Sequence, residues 1–328
     1  MFSRFEQLDE LMLGGTWFRP ETPAELDLPP ATKPWKLAKL KVPRQHTELL
    51  RMCPELRVLE LSPFPFGGTP SSMVNAASCA NLQELRFVGG GFNMLDFGTV
   101  LLQIRALTML GVRMWDQDQF FHLDVLVDAA IAPGLRHLEL DFLSAQQLPA
   151  DQVELAAPHQ ERLVRILNSR GQLETFELKG IAVRADTFFS SMDGEASTPR
   201  CPCHHVKKLN LEIYMTPAMD TDPIVSQEVW SLIYTQLRAV GALRILTLVC
   251  PDIHSTVERG FEVLGKMATL AELSLVDPTR PPWLTTFVEA IVAAAPRLKS
   301  MSLRPLTDAS RDLINGWLTE RKKTDLRF

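Results

Sequence analysis

Leu56-Arg57-Val58-Leu59-Glu60-Leu61 is the stretch that decides how this chain folds. Its last two leucines are two residues apart, the period of a β-strand, so both point to one face while Val58 and Glu60 point to the other. The same apolar spacing returns in Leu135-Arg136-His137-Leu138-Glu139-Leu140, Leu243-Arg244-Ile245-Leu246-Thr247-Leu248 and Leu270-Ala271-Glu272-Leu273-Ser274-Leu275. Eleven copies open at Leu8, Leu37, Leu56, Leu82, Leu107, Leu135, Leu173, Val206, Leu243, Leu270 and Leu298. Their starts lie 19 to 38 residues apart, and self-similarity at such a period marks stacked units that bury a shared core.

Between the motifs lie segments of helical periodicity: Thr47 to Cys53, Gln227 to Val240, Val257 to Met267, Leu284 to Ala294 and Ala309 to Lys322. Each unit is therefore expected to be a strand followed by a helix. Right-handed crossovers place consecutive strands in parallel with the helices outside, and helices, being wider than strands, bend the stack. Cys53-Pro54-Glu55-Leu56, Cys79-Ala80-Asn81-Leu82, Ala132-Pro133-Gly134-Leu135 and Ala295-Pro296-Arg297-Leu298 share a small or thiol residue three before the first leucine. In three of the four a proline stops the preceding segment. No Gly/Ser stretch or charge block interrupts the pattern, so residues 1–328 are expected to form one solenoid domain.

On these residues the chain resembles the intracellular leucine-rich repeats of the ribonuclease-inhibitor-like and cysteine-containing classes, the kind carried by many F-box leucine-rich-repeat proteins. The resemblance covers nearly all of the chain. It implies an α/β leucine-rich-repeat solenoid, a horseshoe of about eleven strand-helix units with parallel strands on the concave face and helices on the convex face. It further implies a non-enzymatic protein-protein interaction module, serving substrate recognition in an F-box-type ubiquitin ligase. The sequence departs from that family at its start: Leu28-Pro29-Pro30 leads into Ala-Thr-Lys-Pro and no helix, and no F-box is found. A ubiquitin-ligase adaptor would then be reached through a missing N-terminal region. The alternative is a regulatory or structural scaffold with no ligase link.

Composition narrows the partners. The 328 residues are 46% hydrophobic and 22% charged, with a formal net charge of −5. Phosphate contacts need a surplus of Lys and Arg, so nucleic acid and acidic membrane are disfavoured and a protein partner is expected. The longest apolar run, Leu284 to Ala295, is interrupted by Glu289 and falls short of the roughly 18 residues that span a bilayer. The opening Met-Phe-Ser-Arg-Phe-Glu-Gln has no apolar core of a secretory signal. Five cysteines, an odd number, do not suggest a disulfide framework. Cytoplasm or nucleus is the expected location.

The outward strand positions near the middle are Glu84, Arg86, Met109, Gly111, Arg113, His137, Glu139, Asp141, Thr175, Glu177, Lys179, Lys208, Asn210 and Glu212. Interleaved charges of both signs either dock a complementary protein or form a solvated face. Aromatics just after the strands, Phe64, Phe66, Phe92, Trp115, Phe120, Tyr214 and Trp283, either anchor a partner at the rim or fold under their own loops. Insertions around Ser144 to His159, Ser190 to Cys203 and Met215 to Ser226 are either a partner-specific surface or tolerated loop variation.

Cys201-Pro202-Cys203-His204-His205 offers thiolates and imidazoles of the kind Zn²⁺ accepts. Yet Cys203 stands three before Val206, the offset of Cys53 and Cys79, where a buried small hydrophobe is the simpler role. A metal-binding protein centred on Cys201 to His205 is thus a remote alternative, and no metal or cofactor is expected. No Gly-x-Ser-x-Gly, phosphate-loop or His-Glu-x-x-His signature occurs; no residue is assigned as catalytic.

Overall fold

Every one of the eleven motif copies is followed, two residues after its first position, by the first residue of a strand. The computed structural model describes residues 9–12, 34–62, 74–88, 97–114, 117–142, 154–191, 205–215, 223–250, 267, 269–276, 288–289, 298–304 and 307–325. Two compact units divide the chain, Met1–Gln147 and Leu148–Phe328. The first holds β1 (Glu10–Met12), β2 (Lys39–Pro43), β3 (Val58–Ser62), β4 (Glu84–Val88), β5 (Met109–Met114) and β6 (His137–Phe142). The second holds β7 (Thr175–Arg184), β8 (Lys208–Tyr214), β9 (Ile245–Val249), β10 (Glu272–Val276) and β11 (Ser300–Arg304). Within each unit every described pairing is parallel and joins strands consecutive in the chain. The fold class is α/β, a leucine-rich-repeat solenoid of eleven strands.

The alternation written in the motif is the alternation of burial. In β6, Leu138, Leu140 and Phe142 are buried while His137, Glu139 and Asp141 stay half-exposed; β8, β9 and β10 repeat the pattern. The first motif position is buried too, as at Leu37, Leu56, Leu82, Leu107 and Leu243. It closes a turn: the Leu56 amide donates to the Cys53 carbonyl at 3.1 Å, Leu82 to Cys79 at 3.0 Å, Leu135 to Ala132 at 3.0 Å and Leu243 to Val240 at 3.1 Å. The residue three before the first motif position thus sits at the head of that turn and is buried there, as at Cys53, Cys79, Ile104, Ala132, Arg170 and Val240.

One backbone device locks the register. The carbonyl of the second motif residue accepts two amides from the next unit: Arg57 and Val58 donate to Ala38 at 2.9 and 3.0 Å, and Gln83 and Glu84 to Arg57 at 2.8 and 2.9 Å. Thr108 takes Arg136 and His137 at 2.8 and 2.9 Å, and Lys207 takes Arg244 and Ile245 at 2.7 and 2.9 Å. A one-residue slip would turn every leucine outward, so this fork and the apolar pattern enforce the same pairing.

The connectors differ between the units. In the first, the sequence pattern over Thr47 to Cys53 does become a helix, but a 3-10 helix, Arg44–Met52. Val74–Ser78 and Gln117–Val127 are also 3-10, beside a short α1 (Phe97–Gln103). Motif starts there are only 19 to 29 residues apart, and a 3-10 helix, rising about 2.0 Å per residue against about 1.5 Å for an α-helix, spans the return path with fewer residues. The second unit carries α2 (Ala157–Ser169), α3 (Ala185–Ser191), α4 (Pro223–Ala239) and α5 (Asp308–Asp325). α2 turns Leu163, Val164, Ile166 and Leu167 into the core. The expected helix at Val257 to Met267 lies outside the described residues except for Met267, as does Leu284 to Ala294 apart from helical Val288 and Glu289. Among the described residues no helix is long and apolar enough to cross a membrane.

Candidate functional site

In the first unit the outward positions line up as columns across the strands. The central column runs Lys41, Glu60, Arg86, Gly111, Glu139, each directly opposite the next on the neighbouring strand. One column over, Arg113 faces Asp141, and on the other side Met109 faces His137. Arg86, Arg113, His137, Glu139 and Asp141, all expected on this face from the sequence, are brought together here. Lys41 and Glu60, not singled out in the sequence, extend the group; they hold the fifth motif position in their units, the signal that reveals them. A groove of about 250 Å³ opens over the central column between Lys41 and Glu139.

Its charges are mostly satisfied within the sheet. Lys41 donates to Glu60, and Arg113 Nε donates to Asp141 Oδ2 at 2.8 Å. Both pairs are cross-strand neighbours, the arrangement in which opposite charges support a sheet. Because each pair keeps between 22% and 53% of its side chains in solvent, each contributes little to stability, about 0–1 kcal/mol. Gly111 leaves a notch in the column: a Cβ there would stand 3.0 Å from Arg86 Cγ, so the arginine stem lies across the glycine.

The second unit has its own outward column, Glu177, Asn210, Thr247, Ser274 and Ser302. Glu177 is well covered, with 14% of its side chain exposed, and it accepts Lys179 at 2.7 Å and Lys208 at 2.5 Å. Burial alone would raise its carboxyl, but the hydrogen bonds and positive charges of the two lysines outweigh that and hold it below the ordinary carboxylate value.

Lys179 stays half-exposed on the outward face, beside Glu177. Strict alternation puts it opposite Glu212, yet Glu212 faces Ala182. From Glu177 to Ala182, β7 advances five residues while β8 advances two from Asn210 to Glu212, so β7 bulges by three. Gly180 sits in the bulge at φ 71, a left-handed conformation that glycine adopts without Cβ strain. Its amide donates to Glu212 Oε1 at 2.8 Å. Lys179 pairs with Glu177 on its own strand, and Glu212 becomes a clamp for the bulge.

The rim aromatics divide. Phe120 is fully buried and stacks on Phe142 with ring centroids 6.3 Å apart, so it belongs to the core. Tyr214 is half-exposed at the end of β8. Phe64, Phe66, Phe92, Trp115 and Trp283 lie outside the described residues, as do Cys201, Cys203 and His204; His205 is exposed. Of the insertions, only Glu154 to His159, Ser190 to Ser191, Met215 and Pro223 to Ser226 are described. No metal-binding group of His, Cys, Asp and Glu occurs among the described residues.

No protein-family model matches the sequence, and no curated protein matches it. Among solved structures, an internalin, inlF, from Listeria monocytogenes is similar over 81% of this chain and 74% of its own, at 12% identity and a TM-score of 0.36. The leucine-rich repeat-containing protein LegL7 from Legionella pneumophila is similar over 90% of this chain and 89% of its own, at 11% identity and a TM-score of 0.44.

Proposed function

We propose that the chain is a non-enzymatic protein-binding module of the cytoplasm or nucleus, and that the outward strand face of the first unit receives its protein partner. One observation supports this above the rest: inward positions of the strands are uninterruptedly apolar, whereas the outward ones carry cross-strand columns of mixed charge over a groove. The inward set is committed to packing. The outward set is free to be shaped by a partner, since exposed substitutions away from the core change stability by only about 0.5 kcal/mol, and complementary charge confers specificity and rate of encounter.

Photo-crosslinking tests it. A crosslinking residue placed at Arg113 or Glu139 should trap the same protein from cell extract, while one at Ser78, exposed on a connector, should not. Trapping from Ser78 and not from the strand positions would overturn the assignment of the face.

The resemblance to the repeats of F-box proteins supports a narrower version, substrate recognition in a ubiquitin ligase. Co-purification of a ligase adaptor with the full-length gene product is its expected outcome; an adaptor-free preparation that still holds the partner would remove the ligase role and leave the binding module.

A further inference from the structure

We infer that Arg86 seats a carboxylate of the protein partner, an Asp or Glu side chain entering the groove of the first unit; this rests on the binding role proposed for that face. The charges around it are accounted for. Lys41 is taken by Glu60 and Arg113 by Asp141, and Glu139 has a partner of its own. Arg86, exposed on β4, has no hydrogen-bond or ion-pair partner among the described residues. Among the described residues the central column therefore holds a guanidinium that no carboxylate has engaged, although Glu60 stands opposite it, and that guanidinium lines the groove.

Gly111 makes the position more than a stray surface arginine. Every other member of the central column carries a charged side chain, and only the glycine leaves room for the Arg86 stem to lie across β5. A glycine inside a strand weakens the strand and often marks a close approach by another group. Here the approaching group is the arginine itself. A stem resting on the sheet gives up part of its rotamer freedom before any ligand arrives, so less is lost on binding. Guanidinium, with its planar fork of donors, matches carboxylate geometry better than any other side chain. The overall charge of −5 repels acidic peptides in general, so attraction of one requires a local site.

The experiment is selection of random linear peptides displayed on phage, against the full chain. Enriched peptides should share an Asp or Glu, and affinity for one of them should fall about tenfold or more in Arg86→Gln, the scale of an arginine anchor. Changing the shared acid to its amide should weaken binding to the wild type yet leave binding to Arg86→Gln unchanged. Gly111→Val, whose branched side chain would displace the stem, should weaken binding in the wild-type background only. Enriched peptides with no common acid, an acid-to-amide loss equally large in Arg86→Gln, or no enrichment at all would each overturn the inference. Crosslinking of a protein from Arg113 and Glu139 would stand regardless, so failure here is distinguishable from failure of the binding role.

Discussion

Glu212 on β8 accepts the backbone amide of Gly180 on β7 at 2.8 Å, across the point where the two strands fall out of step. The bulge thus depends on a backbone conformation at one end and an acceptor at the other. Gly180→Ala puts a Cβ on a residue at φ 71 and should cost about 1 kcal/mol or more in urea unfolding. Glu212→Ala should cost about 1 kcal/mol by leaving the amide without its acceptor, and Glu212→Gln less, because its amide oxygen still accepts. Equal tolerance of all three would mean that the bulge is not held this way.

The pairing of Glu177 with Lys179 and Lys208 makes stability depend on pH. Its folded-state carboxyl lies below the ordinary value of 4.5, so its ion pairs contribute fully above that value and are lost as pH falls through the lowered one. The stability difference between the protein and Glu177→Gln, from denaturant unfolding, should be constant near neutrality and shrink on acidification below 4.5. A difference that grew as pH fell would contradict the direction.

Cys53, Cys79 and Cys250 are buried thiols outside any disulfide. Burial first, and the neighbouring Cys79 second, push the Cys53 thiol up to about 12, while Cys79 is raised by burial against an opposing hydrogen bond from Ser78. Thiolate is the reactive form. Iodoacetamide at neutral pH should leave all three unmodified in the native protein and label them in denaturant, read by peptide mass spectrometry. Fast native labelling of Cys53 would show that the first-unit turns open.

Gln160 is fully buried on α2 and uses both ends of its amide. Its Nε2 donates to the Leu155 carbonyl at 2.5 Å and its Oε1 accepts the Arg184 amide at 3.1 Å, tying the approach to α2 to the far end of β7. Gln160→Leu, similar in size, strands both backbone groups and should cost about 1–3 kcal/mol. A neutral effect in thermal unfolding would mean that water takes over both partners.

The strands were readable from the sequence because a period of two over six residues is local information, repeated eleven times. The bulge in β7 carries an equally local mark. Phe176 and Leu178 keep the alternation, but the next inward residues are Ile181 and Val183, and the odd step of three with Gly180 inside it is the mark of a bulge. The 3-10 winding of Arg44–Met52 was not readable, since an apolar spacing of three, as from Leu50 to Cys53, fits both kinds of helix. Nor was the isolation of Arg86. That depends on which charges on neighbouring strands take one another, a property of register between units rather than of any one motif.

The central claim is that inward motif positions carry the fold while outward ones are left for a partner, and an alanine scan by denaturant unfolding measures it most directly. Leu138→Ala and Leu246→Ala, at 1% and 0% exposure, should each cost about 2–5 kcal/mol. Arg86→Ala and Glu139→Ala should stay within about 0.5 kcal/mol. If the outward pair proved as costly as the inward pair, the strand face would be structural rather than a binding surface, and the account would fail.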